Sequence, residues 1–122
     1  MGSESIRDPR LRVWSELVPH DELVRPRPLG LLRRFGLAIG LAVRPNDVAG
    51  LPKTLKAFAD SGIPVALWPM LDDADGRWAS AANVSTFVAF AESVVARSEL
   101  VPLAAREIVF DVEPPIDEGR AL

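Results

Sequence analysis

The segment Leu37-Ala38-Ile39-Gly40-Leu41-Ala42-Val43 restricts the fold more than any other part of the chain. Large and small residues alternate in it. In an extended strand Leu37, Ile39, Leu41 and Val43 share one side, and Ala38, Gly40 and Ala42 share the other. Neither side carries a polar group. A strand apolar on both sides has to be covered on both, as in a parallel sheet or barrel, whereas antiparallel strands more often keep one polar face.

The flanking sequence supplies the rest of that architecture. Leu11 to Val18 reads as a short first strand halted by Pro19. Pro19, Pro26 and Pro28 read as a loop, which leaves Leu29 to Phe35 for a short helix before Gly36. After the second strand, Asn46 or Asp47 is placed to cap a helix in which Leu51, Leu55 and Phe58 recur at helical spacing and Gly62 is the stop. Ile63 to Leu71 reads as the third strand. A further helix starts near Ser80 to Asn83, carries Phe87, Phe90, Ala91, Val94 and Val95 on one stripe, and ends before Pro102. Glu107 to Val112 is the fourth strand.

Alternating strand and helix signals specify an α/β fold with parallel pairing and right-handed crossovers. A complete eight-stranded barrel takes about 250 residues, so four such units in 122 residues amount to half of one. The expected architecture is therefore half of a TIM-type (β/α)8 barrel: a polar leader over 1–10, then a single (β/α)4 domain over 11–122, truncated at its C-terminus. Pro114 to Leu122 reads as the start of a next loop and helix. A small open flavodoxin-like sheet is the alternative. In the half barrel the first and fourth strands are open edges, through which a homo-oligomer or a complementary half-barrel would form.

Composition narrows the partners. Net charge is −3 with both signs interspersed, so no broad positive field attracts nucleic acid, and a small molecule is the expected partner. The absence of cysteine excludes disulfides, thiolate zinc sites and a cysteine nucleophile. The amino end lacks the apolar core of a secretory signal, and the longest strongly apolar run, Leu37 to Val43, is far shorter than the ~20 residues that span a bilayer. A cytoplasmic location and no membrane partner are expected. No glycine-rich phosphate loop, nucleophile elbow or paired-histidine zinc helix is present, so no cofactor or metal is assigned.

The fourth strand carries the residues with most chemical promise. Ile108, Phe110 and Val112 fall on one face, and Val109, Asp111 and Glu113 on the other, so the two acids point the same way. The C-terminal ends of parallel strands form the functional rim of such folds, where carboxylates serve as general acids or hold metal. Capping the next helix or pairing with an arginine would also account for them. Glu113 lies nearer the rim and is backed by Pro114 and Pro115.

Trp68 and Trp78 offer flat apolar surfaces for a sugar ring, although either would serve equally in ordinary packing. Between them, Asp72-Asp73-Ala74-Asp75-Gly76 fails as a calcium loop, because Leu71 and Ala82 occupy the first and last ligand positions. Asp72 is kept as a substrate contact. Glu16 shares a face with Trp14 and is a further acid. His20, the only histidine, reads as a loop residue, and Arg25, Arg27, Arg33 and Arg34 as a solvated basic face.

Three stretches together resemble bacterial glycoside-hydrolase-like barrel proteins: Ile63 to Leu71, Gly76-Arg77-Trp78 with Ala82-Asn83 to Phe87, and Ile108 to Pro115. The terminal Asp-x-Glu is similar to the end of the chitinase-type motif on the fourth strand. Arg106 and Val109 stand where the longer motif has aspartates. The resemblance implies a carbohydrate-processing barrel with Glu113 as proton donor and Asp111 as its helper. Most such enzymes need two carboxylates roughly 5 to 9 Å apart across the scissile bond. Asp111 and Glu113, neighbours on one strand, do not flank a sugar from opposite sides. Two other functions fit the same residues: a non-catalytic module binding sugar or a cation, and a metal-dependent α/β enzyme with Asp111 and Glu113 as oxygen ligands.

Overall fold

The structure, a computed structural model, describes residues 11–102 and 104–112. Four strands, β1 (Arg12–Ser15), β2 (Ala38–Val43), β3 (Val65–Pro69) and β4 (Ala105–Ile108), form one sheet in the order β1-β2-β3-β4, every pair parallel. Helices α1 (His20–Leu23), α2 (Pro26–Arg34), α3 (Leu51–Asp60) and α4 (Val84–Ser98) make the connections. The class is α/β. Sequence order and spatial order coincide, with none of the reversal that defines the switch point of a doubly wound sheet.

The two sides of β2 do different work, as its alternation requires. Ile39, Leu41 and Val43, with Val65 and Leu67 of β3, pack against Leu32 of α2, Leu51, Leu55 and Phe58 of α3, and Val94 of α4. All the long helices therefore lie on one side of the sheet. The other side is built on Ala38, Gly40, Ala42 and Ala66, all buried. Trp14 explains the glycine: a Cβ on Gly40 would stand 2.1 Å from Trp14 Cε3, so the indole lies directly on the strand backbone. On this same side Arg12 of β1 and Glu107 of β4 form an ion pair, their register partners on β2 and β3 being Ala38 and Ala66.

Several element boundaries differ from expectation for identifiable reasons. Helix α2 begins at Pro26, because proline in a first helical turn gives up only N–H groups that have no intrahelical acceptor. Asp47 caps a short 3-10 turn, Pro45–Asp47, by accepting from the Arg44 backbone N–H at 2.9 Å, while Gly50 precedes α3 with no side-chain cap. Gly62 terminates α3 as expected, with φ +71°. Strand β4 starts and ends earlier than the apolar run suggests. Its register with β3 contains an irregularity: Val65 faces Ala105 but Ala66 faces Glu107. Arg106 is the extra residue of this bulge, and it turns the odd-numbered positions that follow toward the tryptophan side.

Candidate functional site

The bulge in β4 decides where Asp111 goes. With Glu107 on the tryptophan side, two-residue alternation carries Asp111 to that side, while Ile108, Phe110 and Val112 go to the side of α4. Trp68, at the C-terminal end of β3, donates its indole N–H to Asp111 Oδ2 at 3.0 Å. The Ala79 N–H donates to the Asp111 carbonyl at 3.1 Å, so backbone and side chain are both fixed.

Trp68 is also the centre of an aromatic group. Trp78 stacks on it with ring centroids 5.6 Å apart and planes 14° from parallel. Trp14 meets it edge-on at 5.4 Å. Trp14 and Trp68 belong to β1 and β3, so the contact passes over the small residues of β2. Trp14 remains 48% exposed, the most open aromatic surface of the three.

Trp78 reaches Trp68 because the loop after β3 folds back. Asp73–Asp75 form a 3-10 turn ended by Gly76 at φ +93°, and Arg77 follows at φ +57°, a conformation uncommon for a residue with a side chain. Asn83 holds the loop closed: its amide N–H donates to the carbonyls of Asp75 and Trp78, both at 2.8 Å, and its oxygen accepts from the Ser80 N–H at 2.9 Å.

A charged group stands beside the tryptophans. Arg77 donates through Nε to Asp73 Oδ1 at 2.7 Å and through Nη1 to Glu16 Oε2 at 3.3 Å. Arg44, just beyond β2, approaches the same Glu16 oxygen at 3.9 Å. Arg77 lies over the Trp78 ring, 5.7 Å from its centroid. The hydrogen bond from Arg77 and its charge hold the Asp73 carboxyl below the ordinary carboxylate value.

The structure thus brings together Asp111, Trp68, Trp78 and Glu16 at the ends of the strands. Glu113 lies outside the described residues. The Asp72 side chain is exposed and makes none of the rim's hydrogen bonds; Asp73, one residue on, takes the arginine instead. Arg44, Arg77 and Asp73 were not singled out from the sequence. The basic residue in Gly76-Arg77-Trp78, beside a ring and after a turn glycine, was the available signal for Arg77. His20 opens helix α1 and is not in a loop; its Nε2 lies 2.8 Å from the Ala42 carbonyl and 3.7 Å from Asp47.

Among the described residues no three His, Cys, Asp or Glu side chains converge as a metal site, and no helix is long and apolar enough to cross a membrane. In comparisons with known proteins, no family model, curated protein or solved structure matches the chain.

Proposed function

We propose that the chain is the first half of a glycoside-hydrolase-like (β/α)8-type barrel and that its strand-end rim takes carbohydrate, with a fourth-strand carboxylate as general acid. The observation that carries this reading is the Trp68–Asp111 hydrogen bond: a carboxylate just beyond β4 is locked to an indole within a three-tryptophan group. Sequential strand order and helices on one side of the sheet support the barrel half of the reading. Both edges of the sheet support it too. The central strands are almost entirely buried, whereas β1 and β4 are half-buried to exposed.

In this reading Glu113 delivers a proton to the glycosidic oxygen as the bond to the anomeric carbon breaks, and Asp111 orients the substrate beside it. The second carboxylate that stabilises or attacks the anomeric centre comes from another strand, at the separation such chemistry requires. The test is hydrolysis of chromogenic glycosides by the chain combined with a complementary half-barrel. Turnover that disappears in Glu113→Gln is expected. Turnover that persists in that variant, or none in any complete form, would refute the catalytic reading.

One observation favours a second reading, binding without chemistry. Glu16, the acid on a different strand, is engaged by Arg77 and approached by Arg44. A rim whose acids are already paired would grip a sugar through hydrogen bonds and indole contact without cleaving it. Oligosaccharide binding with no hydrolysis by any assembled form would identify this case. A metal-dependent enzyme is the third reading; it requires saturable heat on titration with magnesium or calcium and activity abolished by chelators.

A further inference from the structure

Helix α2 packs on the sheet through Leu29 and Leu32. Its opposite side is formed by Arg27, Gly30, Leu31 and Arg34, which neighbour one another at three- and four-residue spacing. All four are exposed. This side points away from the sheet, so a strand or helix added at either sheet edge lies beside α2 and not over it.

The charge there is of one sign. Arg25 stands just before the helix and Arg33 on its flank, both exposed. From Leu23 to Asn46 the sequence has five arginines and no acidic residue; the nearest acids along the chain are Asp21, Glu22 and Asp47. Among the described residues none of Arg25, Arg27, Arg33 and Arg34 forms an ion pair. Gly30, Arg33 and Arg34 line a shallow depression of about 340 Å3, and a Cβ at Gly30 would meet nothing within 4 Å. Leu31 is 47% exposed and Phe35, four residues on, 62%, with the Arg34 guanidinium 5.4 Å from the centroid of its ring.

We propose that this side of α2 docks on an anionic bilayer surface, where lipid headgroups meet the four arginines and Leu31 and Phe35 enter the headgroup region. Four or more basic residues clustered on an amphipathic helix hold to anionic lipid. The rest of the chain carries more acids than bases, so a negative surface attracts this side and repels the remainder. Side-chain chemistry favours lipid over nucleic acid. From Arg25 to Phe35 arginine is the only polar residue, with none of the serine, threonine, asparagine or glutamine that add contacts to phosphate and sugar, and exposed apolar groups stand among the arginines. The contact lies on the membrane and does not cross it. The expectation of no membrane partner rests on the lack of a spanning run, which a surface contact does not need. Trp14, Trp68 and Asp111 are on the other side of the sheet, so docking stands or falls independently of the rim's ligand.

Co-sedimentation of the chain with phosphatidylcholine vesicles, with and without phosphatidylserine, is the test. Each arginine near such a surface adds about fivefold to the partition, so four should give the anionic vesicles a preference of at least about a hundredfold, lost as salt screens the surface. Arg27→Glu combined with Arg34→Glu should lower the partition at least about tenfold while circular dichroism stays unchanged. Phe35→Ser leaves the charge unaltered and should lower it severalfold. Should the double variant unfold, Arg33→Gln alone is expected to lose about fivefold and decides the matter. Equal partition onto neutral and anionic vesicles, no partition onto either, or indifference to the arginine or Phe35 substitutions would overturn the proposal. So would tighter binding to single-stranded RNA or polyglutamate at matched charge, which would assign the surface to a nucleic acid or an acidic protein. Displacement by inorganic phosphate at an ionic strength where sodium chloride has no effect would also overturn it, leaving a free-anion site.

Discussion

Trp68 on β3 and Asp111 beyond β4 are joined by an indole-to-carboxylate hydrogen bond of 3.0 Å, 43 residues apart in sequence. The bond ties the third strand to the fourth at the rim and leaves the Asp111 carboxylate facing an aromatic group. Trp68→Phe keeps a ring for Trp78 to stack on and removes the donor. A hydrogen bond to a charged group contributes about 1.5–3 kcal/mol, and this pair is only part-buried, so a loss near the lower end is expected in urea denaturation. An unchanged midpoint would show that the bond contributes nothing.

Gly40 and Trp14 provide a second test. The Cβ of Gly40→Ala would stand 2.1 Å from Trp14 Cε3, so the indole must leave its seat on β2. Overpacking of this kind costs about 1–3 kcal/mol, and near-ultraviolet circular dichroism should record the loss of the Trp14–Trp68 contact. In Trp14→Ala the same alanine should cost much less, and the difference between the two backgrounds is the coupling energy. Equal costs in both backgrounds would contradict the close approach.

Phe58 is completely buried between α3 and the helix-facing side of the sheet. Phe58→Ala should lower stability by about 3–5 kcal/mol, enough to unfold much of a small domain. A stability loss of only about a few tenths of a kcal/mol would place the core elsewhere.

The loop that carries Trp78 has its own pH signature. Arg77 lowers the pKa of Asp73, and a carboxylate depressed in the folded state contributes stability above its unfolded pKa and loses it as pH falls through the folded one. Asp73 is exposed, so the consequence is local order in the loop. Carboxyl NMR shifts should show Asp73 titrating at lower pH in the native chain than in Arg77→Ala, where it returns toward 3.8. Identical midpoints would mean that Arg77 does not hold Asp73 in solution.

What the sequence disclosed follows the range of the physics involved. The two apolar faces of β2, the stripe of α4 and the opposite facing of Asp111 and Phe110 are all local periodicities, so they were legible. The prolines at the start of α2 read as loop in the sequence, yet a first helical turn tolerates what a helix interior does not. The Arg77–Glu16 contact joins residues 61 apart and leaves no periodic trace. The bulge at Arg106, which selects the side Asp111 occupies, is a property of pairing between β3 and β4, and β4 alone does not reveal it.

Whether the strand-end rim takes carbohydrate is decided by titrating the chain with neutral, N-acetylated and acidic oligosaccharides while following tryptophan fluorescence and heat. Saturable binding that perturbs the indoles, and that is weakened at least about tenfold by Asp111→Ala, is the predicted result, since truncating a carboxylate that hydrogen-bonds its ligand removes a charge-assisted contact. No heat and no spectral change with any of the three classes would contradict it.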